Sequence, residues 1–425
     1  MSESFSPELV RDTLTSLAGD RQRRYVCAVS GGADSLSLAH ALIQCGADVR
    51  LAHVNHHLQS ESDDWARRVR NFAQQHDVPC VCLDAFPDGS GNVEARARDA
   101  RYAALADNLR DGEVLLTAHH QDDQALTLLL QLLRGAGPAG LAAMPERGRC
   151  GAAEHWRPLL AVPAQALQRY AVEHHLPVIE DPSNAELRFD RNYLRAHVVP
   201  TLKSRWPAFA RTLARSAAHC AQADTLLGEL ATLDAPNHAG DAGLNLSVEA
   251  IPAESRAENA LRYALRERQI PAPATVRLRE YVRQVRTSAA DTEPCLALGE
   301  ITLLSYERHV FFVGPLEDTA PLEFALRPRQ PQALPNRAGT LVWNAPESSA
   351  PLTVRYRRGG ERYGESPSRR LKQFLQERRV LPWCRSSVPL VFRAERLLAI
   401  GDWWQDDDLS GSLVWSPDTR FALSS

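Results

Sequence analysis

Between an apolar run at Tyr25–Val29 and a helical pattern beginning at Asp34 stands Ser30-Gly31-Gly32-Ala33-Asp34-Ser35. Two glycines permit positive φ and close approach of the backbone to a ligand. Consecutive N–H groups at the opening of a helix form an anion nest. The hydroxyls of Ser30 and Ser35 are further donors. Asp34 would repel a phosphate unless a cation lies between them, and Mg2+ bridging phosphate oxygens suits that place. The six residues therefore read as a polyphosphate site with Asp34 on the metal. The loop has neither the Lys of a Walker A sequence nor the GxGxxG pattern. The competing reading is an ordinary strand-to-helix turn with Asp34 as a cap.

Other strings bear on the same chemistry. His53-Val54-Asn55-His56-His57-Leu58 follows the second apolar run. Three close histidines invite a metal reading, but no acidic or thiol partner is near in sequence, so polar residues lining a strand end are expected. Asp122 and Asp123 fall in Ala118-His119-His120-Gln121-Asp122-Asp123-Gln124. Glu94, Arg98 and Arg101 are three or four apart and share one helix face. Arg191 and Arg195 are one helical turn apart, and paired guanidiniums suit phosphate or transition-state charge. Each of these could instead be a solvated surface.

The elements that must position these groups alternate. Short strands at Tyr25–Val29, Val49–Val54, Pro79–Leu83 and Val114–Ala118 are interleaved with helical patterns at Asp34–Cys45, Asp63–His76, Glu94–Asn108 and Asp122–Arg134. That rhythm predicts an α/β fold with a doubly wound parallel sheet, whose ligands bind beyond the carboxyl ends of the strands. From about Arg205 the pattern becomes helical, at Pro207–Leu233, Pro252–Gln269 and Ala274–Thr287. A hairpin around Gly299 joins Cys295–Leu298 to Ile301–Val313. Residues 316–350 are rich in proline and alanine and read as a linker with some strand. Short strands and one helix, Ser368–Arg378, follow. The expected division is 1–205 catalytic, 206–316 mainly helical, 317–350 linker and 351–425 a small basic α+β domain.

Bulk composition narrows the class. At 425 residues, two to four domains are expected. With 24% charged and 44% hydrophobic residues, the chain is globular. A net charge of −3 gives no global signature for nucleic acid. Residues 351–396, however, hold twelve basic and four acidic side chains, a surplus of eight, which is a local footprint for a phosphate backbone. Lys203 and Lys372 are the two lysines among 49 basic residues, which makes a lysine somewhat more informative than an arginine here. Eight cysteines without CxxC spacing leave zinc and iron–sulfur chemistry unsupported. No apolar leader and no membrane span is found, so a cytoplasmic chain with reduced thiols is expected.

The Ser-Gly-Gly-Ala-Asp-Ser string resembles the PP-loop of the ATP pyrophosphatase superfamily, whose members cleave ATP between the α- and β-phosphates. The HVNHHL string, Glu94–Tyr102, Arg134–Leu141, Asp181–Asn184 and Asp190–Arg195 are similar to segments of the tRNA(Ile)-lysidine synthetases. Arg369-Arg370-Leu371-Lys372 and Pro382-Trp383-Cys384-Arg385 resemble their C-terminal tRNA-binding domain. The resemblance implies an ATP- and Mg2+-dependent ligase that joins L-lysine to C2 of the wobble cytidine in a CAU-anticodon isoleucine tRNA, through an adenylated cytidine. It implies His53 near the nucleotide and Asp34, Arg98, Asp123, Arg191 and Arg195 in catalysis. Asp122, Asp123 and Asn192 would serve substrate, with the second aspartate on the lysine ammonium. Arg369, Arg370, Lys372 and Arg385 would hold tRNA. One departure stands out: the family pattern D-Q-x-E-T reads Asp123-Gln124-Ala125-Leu126-Thr127, with leucine where an acid is expected. Lysine would then be held by Asp123 alone or by another carboxylate. A tRNA thiolase of the same superfamily and a tRNA-binding protein with weakened ligation remain as alternatives. Homodimer formation is left open.

Overall fold

The computed structural model describes residues 4–19, 21–86, 93–182, 186–236, 243–289, 292–315, 322–335, 338–364 and 369–417. Its contacts divide the chain into two units, 1–225 and 226–425.

The N-terminal unit opens with helix α1 (Pro7–Ala18), started by the Ser6 hydroxyl accepting from Leu9 N–H and by proline at its first position. Then β1 (Arg24–Ala28), α2 (Ala33–Gln44), β2 (Val49–Asn55), α3 (Ser62–Gln75), β3 (Cys80–Asp84), α4 (Val93–Asn108), β4 (Glu113–Leu116) and α5 (Gln121–Leu133) alternate. A short α6 (Pro138–Leu141), an edge hairpin of β5 (Arg147–Cys150) and β6 (Ala153–Trp156), and α7 (Ala164–Glu173) follow. The sheet order is β3-β2-β1-β4-β6-β5. All pairings are parallel except that of β5 with β6. The doubly wound sheet is therefore as expected, with one antiparallel edge.

Alternation along the strands explains why helices cover both faces. Tyr25, Cys27, Leu51, Val114 and Leu116 face a core filled by Leu36, Leu42, Phe72 and Leu167. Val26, Ala52 and Leu115 face the other way, onto Leu105 of α4. The order places β1 beside β4 with later strands to one side and earlier ones to the other. The loops leaving β1 and β4 thus meet at the topological switch point, the usual ligand crevice of such sheets.

After α7 come α8 (Asp190–Tyr193), a π-turn at Leu194–Val198, α9 (Val199–Arg205) and the long α10 (Phe209–Asp234). In the C-terminal unit, β7 (Leu244–Asn245), α11 (Glu254–Glu267), α12 (Thr275–Thr287), β8 (Cys295–Leu298), β9 (Ile301–Tyr306) and β10 (His309–Val313) share one core. The stretch Ile301–Val313, expected as one strand, is two strands that turn at Glu307 and Arg308 with φ of 46° and 63°.

The expected linker is not one. Within 316–350, β11 (Glu323–Leu326) pairs with Leu352–Arg355, and β13 (Thr340–Asn344) pairs with β12 (Gln332–Ala333) on one side and Ser412–Ser416 on the other. Leu326, Leu341 and Trp343 are buried in the same core as Leu390 and Trp415. Proline misled the composition reading: Pro328, Pro331 and Pro335 lie between short strands, where a missing N–H costs no ladder bond. Strands β14 (Leu352–Arg355), β15 (Arg362–Tyr363), β16 (Arg369–Arg370), β17 (Leu390–Arg393), β18 (Arg396–Ile400), β19 (Trp404–Gln405) and β20 (Ser412–Ser416), with helix α13 (Leu371–Glu377), complete the unit. The helix expected from Ser368 starts three residues later, because Arg369 and Arg370 pair in a strand with β15; Ser368 itself lies outside the described residues.

All eight cysteines are free thiols. Among the described residues, no helix is long and apolar enough to cross a membrane.

Candidate active site

The bend after β1 holds itself together. Ser35 Oγ donates to the Gly32 carbonyl at 3.0 Å and accepts Ser30 N–H at 3.2 Å. With its proton so committed, Ser35 Oγ accepts from Ser30 Oγ at 3.1 Å. Gly32 N–H leans on Ser30 Oγ at 3.4 Å. Ser35 is buried, so its hydroxyl shapes the loop and is not an open donor, contrary to expectation. Gly31 also departs from expectation. Its φ of 93° needs glycine, but the residue is buried under Ile179. A Cβ there would meet Ile179 Cδ1 at 2.5 Å, and Ile179 N–H donates to the Gly31 carbonyl at 2.9 Å. Ser30 is exposed, and Gly32, Ala33 and Asp34 are partly open at the start of α2, where backbone N–H groups lack intrahelical partners.

Asp34 keeps 40% of its side chain exposed and meets His120 Nε2 at 3.3 Å. His120 is the hinge of the site. It caps α5: its Nδ1 accepts Asp123 N–H at 3.3 Å while Asp123 Oδ2 accepts His120 N–H at 3.3 Å. An Nδ1 that accepts leaves the ring proton on Nε2, between Asp34 and Asp123. Burial works against protonating this ring, but the bond to Asp34 and the charges of Asp123, Asp34 and Asp122 outweigh it and raise the pKa.

Asp123 is 12% exposed and gathers cations. Arg191 donates to its Oδ1 at 2.6 Å and Arg195 at 3.4 Å. Burial alone would raise the carboxyl's pKa; His120 and Arg191 hold it well below the ordinary range. Arg191 also reaches Thr127 Oγ1 at 3.4 Å. Asp123, Arg191 and Arg195, expected in separate roles, are brought together in one cluster.

Asp122 behaves differently. Its Oδ2 accepts Ala164 N–H at 3.0 Å, and its Oδ1 is paired with the ammonium of Lys203. It ties α5 to the start of α7 and to α9, an internal role in place of the expected one toward substrate. The Asn192 amide donates to the Glu186 carbonyl at 3.1 Å. Leu126 is 3% exposed and brings no charge to the site.

A relay lies behind the cluster. Arg157 donates to His155 Nδ1 at 3.2 Å, so His155 donates from Nε2 to Thr117 Oγ1 at 2.8 Å. Thr117 in turn donates to His119 Nδ1 at 2.8 Å. Burial, Arg157, His119 and Arg98 push the pKa of His155 down to about 3. Burial, with the charges of Arg157, Arg98 and Arg191 against that of Asp123, likewise keeps His119 neutral. Arg98 is exposed beside Tyr102, 5.3 Å from the ring centre, and acts on both imidazoles through its charge.

His53 is buried and donates from Nδ1 to the Val29 carbonyl at 2.8 Å, buttressing the end of β1. His57 pairs with Asp84 at 2.7 Å and stacks on Phe86. Among the described residues, no group of three His, Cys, Asp or Glu could hold a metal. The donor set instead fits a hard cation shared with phosphate: one half-exposed carboxylate, Asp34, at a helix start. The Glu94 side chain, Ser183 and Asn184 lie outside the described residues.

In the C-terminal unit, Arg369, Arg370 and Lys372 are exposed. Arg385 is not presented in the same way: it donates to the Val380 carbonyl at 2.9 Å and to Tyr306 Oη at 3.4 Å. The surplus of basic charge is also partly met from outside its window, by Glu323 with Arg355 and Arg358, and by Asp406 and Asp408 with Arg396.

Sequence reasoning passed over His120, Thr117, His155, Arg157, Ile179 and Lys203. The rarity of lysine was the one usable signal for Lys203. His120 was visible beside the two aspartates, but its contact with Asp34 depends on β1 lying next to β4.

The chain resembles known proteins along nearly its whole length. A PP-loop domain family model matches residues 6–202. The TilS substrate binding domain matches 251–311, and the TilS substrate C-terminal domain matches 352–414. The chain is 38% identical to a tRNA(Ile)-lysidine synthase of Escherichia coli O157:H7, covering 92% of this chain and 93% of that protein. It is 37% identical to one of Alkalilimnicola ehrlichii, covering 93% and 94%, and 34% identical to one of Coxiella burnetii, covering 93% and 92%. With identity at that level along nearly the whole length of both proteins, the chain belongs to the tRNA(Ile)-lysidine synthase family.

Proposed function

We propose that this chain carries out the reaction for which its family is named, using ATP to ligate L-lysine to C2 of the wobble cytidine of a CAU-anticodon isoleucine tRNA. The observation that carries the reading is the contact of His120 with Asp34 and Asp123, which ties the phosphate bend after β1 to the acid–arginine cluster after β4.

In the first half-reaction the C2 oxygen attacks the α-phosphate of ATP and pyrophosphate leaves. The N–H groups of Gly32 and Ala33 are proposed to receive the departing diphosphate, with Asp34 as the carboxylate for Mg2+. Mg2+ there would neutralise phosphate charge. Arg191 and Arg195, held on Asp123 beside His120, are proposed to stabilise charge on the transferring group. In the second half-reaction the lysine amine attacks C2 and AMP departs with the former C2 oxygen. Adenylation is needed because a bare carbonyl oxygen is a poor leaving group.

With Leu126 supplying no carboxylate, the lysine ammonium is left to Asp123. The Arg195 contact, 3.4 Å long and made by a side chain 48% exposed, is the one it would displace.

The test is incubation with ATP, Mg2+, lysine and the isoleucine tRNA, with nucleoside mass analysis and assay of pyrophosphate. Lysidine is expected only when all components are present. No lysidine with all components present, or no pyrophosphate release with both substrates added, would overturn the reading.

A further inference from the structure

The helix that delivers Arg191 and Arg195 to Asp123 has a second, unused side. Tyr193 is 51% exposed, large for an aromatic residue beside a buried ion cluster. Its ring lies 5.1 Å from that of His197, tilted by 45°. These two residues are one turn apart, as are Arg191 and Arg195, and the pairs are offset by two positions. Side chains so placed leave a helix in different directions. The guanidiniums point to Asp123, Leu194 is buried as the anchor, and the two rings are turned to solvent. The run is broken by the π-turn at Leu194–Val198, a local departure often found at functional sites. Cations flank the rings: Arg195 is 48% exposed, and Arg188, 65% exposed, lies over Phe189 at 4.7 Å.

Exposed aromatic faces interleaved with guanidiniums suit one kind of ligand, unstacked bases of single-stranded nucleic acid with the backbone alongside. A helix with its side chains is about 10–12 Å across, a span a splayed strand covers in a couple of nucleotides. We propose that Tyr193, supported by the tilted ring of His197, is a stacking platform for an anticodon-loop base next to the reacting cytidine. The platform rests on the reading of the activity given above and adds a specific positioning residue to it. Its consequence is division of labour on one helix: one side meets transferring charge, the other fixes where the loop lies.

The test uses the full chain and a CAU anticodon stem–loop RNA whose anticodon adenosine is replaced by 2-aminopurine, which loses fluorescence when stacked. Bound to the unaltered protein and to Tyr193→Phe, the probe is expected to stay quenched. Bound to Tyr193→Ala it is expected to brighten, with KM for tRNA raised about five- to a hundredfold and KM for ATP and lysine unchanged. Unchanged fluorescence and tRNA KM in Tyr193→Ala would overturn the platform alone, as would Tyr193→Phe failing as badly as alanine. If the unaltered protein neither binds the stem–loop nor releases pyrophosphate with tRNA, the proposed activity itself falls, and the platform with it.

Discussion

Arg191 and Arg195 converge on one carboxylate that is 12% exposed, whereas Arg369, Arg370 and Lys372 stand exposed on a two-stranded ribbon and the helix after it. The same residue type is used in opposite ways. In the N-terminal cluster these charges share a partner far away in sequence, and removing that carboxylate leaves Arg191 and Arg195 without their common acceptor. On the ribbon and helix of the C-terminal unit Arg369, Arg370 and Lys372 reach into water, where each contributes little to stability and a screened amount to binding. The first arrangement suits chemistry at one atom; the second suits a long polyanion.

The sharpest break of this contrast is Asp123→Ala. It strips Arg191, Arg195 and His120 of their shared partner. The N-terminal unit is expected to lose about 3–5 kcal/mol in denaturant melts, and turnover to fall at least about a hundredfold. Full stability in that variant would mean the cluster is no buried network.

Acid should separate the two units next. Burial lowers the folded-state pKa of His40 and His56 to about 4 and of His155 to about 3, all in the N-terminal unit. At His40 the rings of His174 and His76, 4.9 and 5.3 Å away, add to the effect of burial. A fold that prefers the neutral ring gains stability that is complete above the unfolded value of 6.5 and drains away as pH falls toward 4. His120, with a raised pKa, runs the other way and keeps its contribution at low pH. Melts between pH 7 and 4 are expected to show the N-terminal transition weakening by roughly several kcal/mol in sum, while the C-terminal one moves less. A single transition that shifts as a whole would erase the distinction.

Gly31→Ala tests the closed side of the phosphate bend. The added Cβ meets Ile179 and the φ of 93° disfavours any side chain. A cost of about 1–3 kcal/mol is expected, with KM for ATP raised. Ile179→Ala in the same chain should recover the steric part and not the backbone part; complete recovery would show that φ there is relaxed.

The smallest effects belong to the ribbon. Changing Arg369, Arg370 and Lys372 together to glutamine should leave melting unaltered, raise KM for tRNA, and flatten the salt dependence of binding by about 2 in log–log slope. Arg385→Gln is expected to reverse the pattern, losing about 1–2 kcal/mol of C-terminal stability through its bond to the Val380 carbonyl. Equal salt slopes for the two variants would put Arg385 back among the RNA contacts.

Local rules read the sheet well because each strand alternates and each helix is periodic; Val49–Val54 and Glu94–Asn108 differ from β2 and α4 by a residue at one end. They failed where composition stood in for pattern. The alternation of Leu341 and Trp343 was present between the prolines, but proline dominated the reading. Within the site, the motif residues were legible and their partners were not. Nothing local marks Ile179 as the lid of Gly31, or Ala164 N–H and Lys203 as the two holders of Asp122, since those contacts span 148, 42 and 81 residues by position. Chemistry is written in short strings, and the struts that aim it are scattered.

The tie between Asp122 and Lys203 also sets an order of assembly. A nascent chain that has left the ribosome as far as α7 already owns the phosphate bend and the paired aspartates. Arg191, Arg195 and Lys203 are still to emerge, and until they do those carboxylates lack these three cations. The ion cluster is therefore completed late in synthesis, when α8 and α9 are in place.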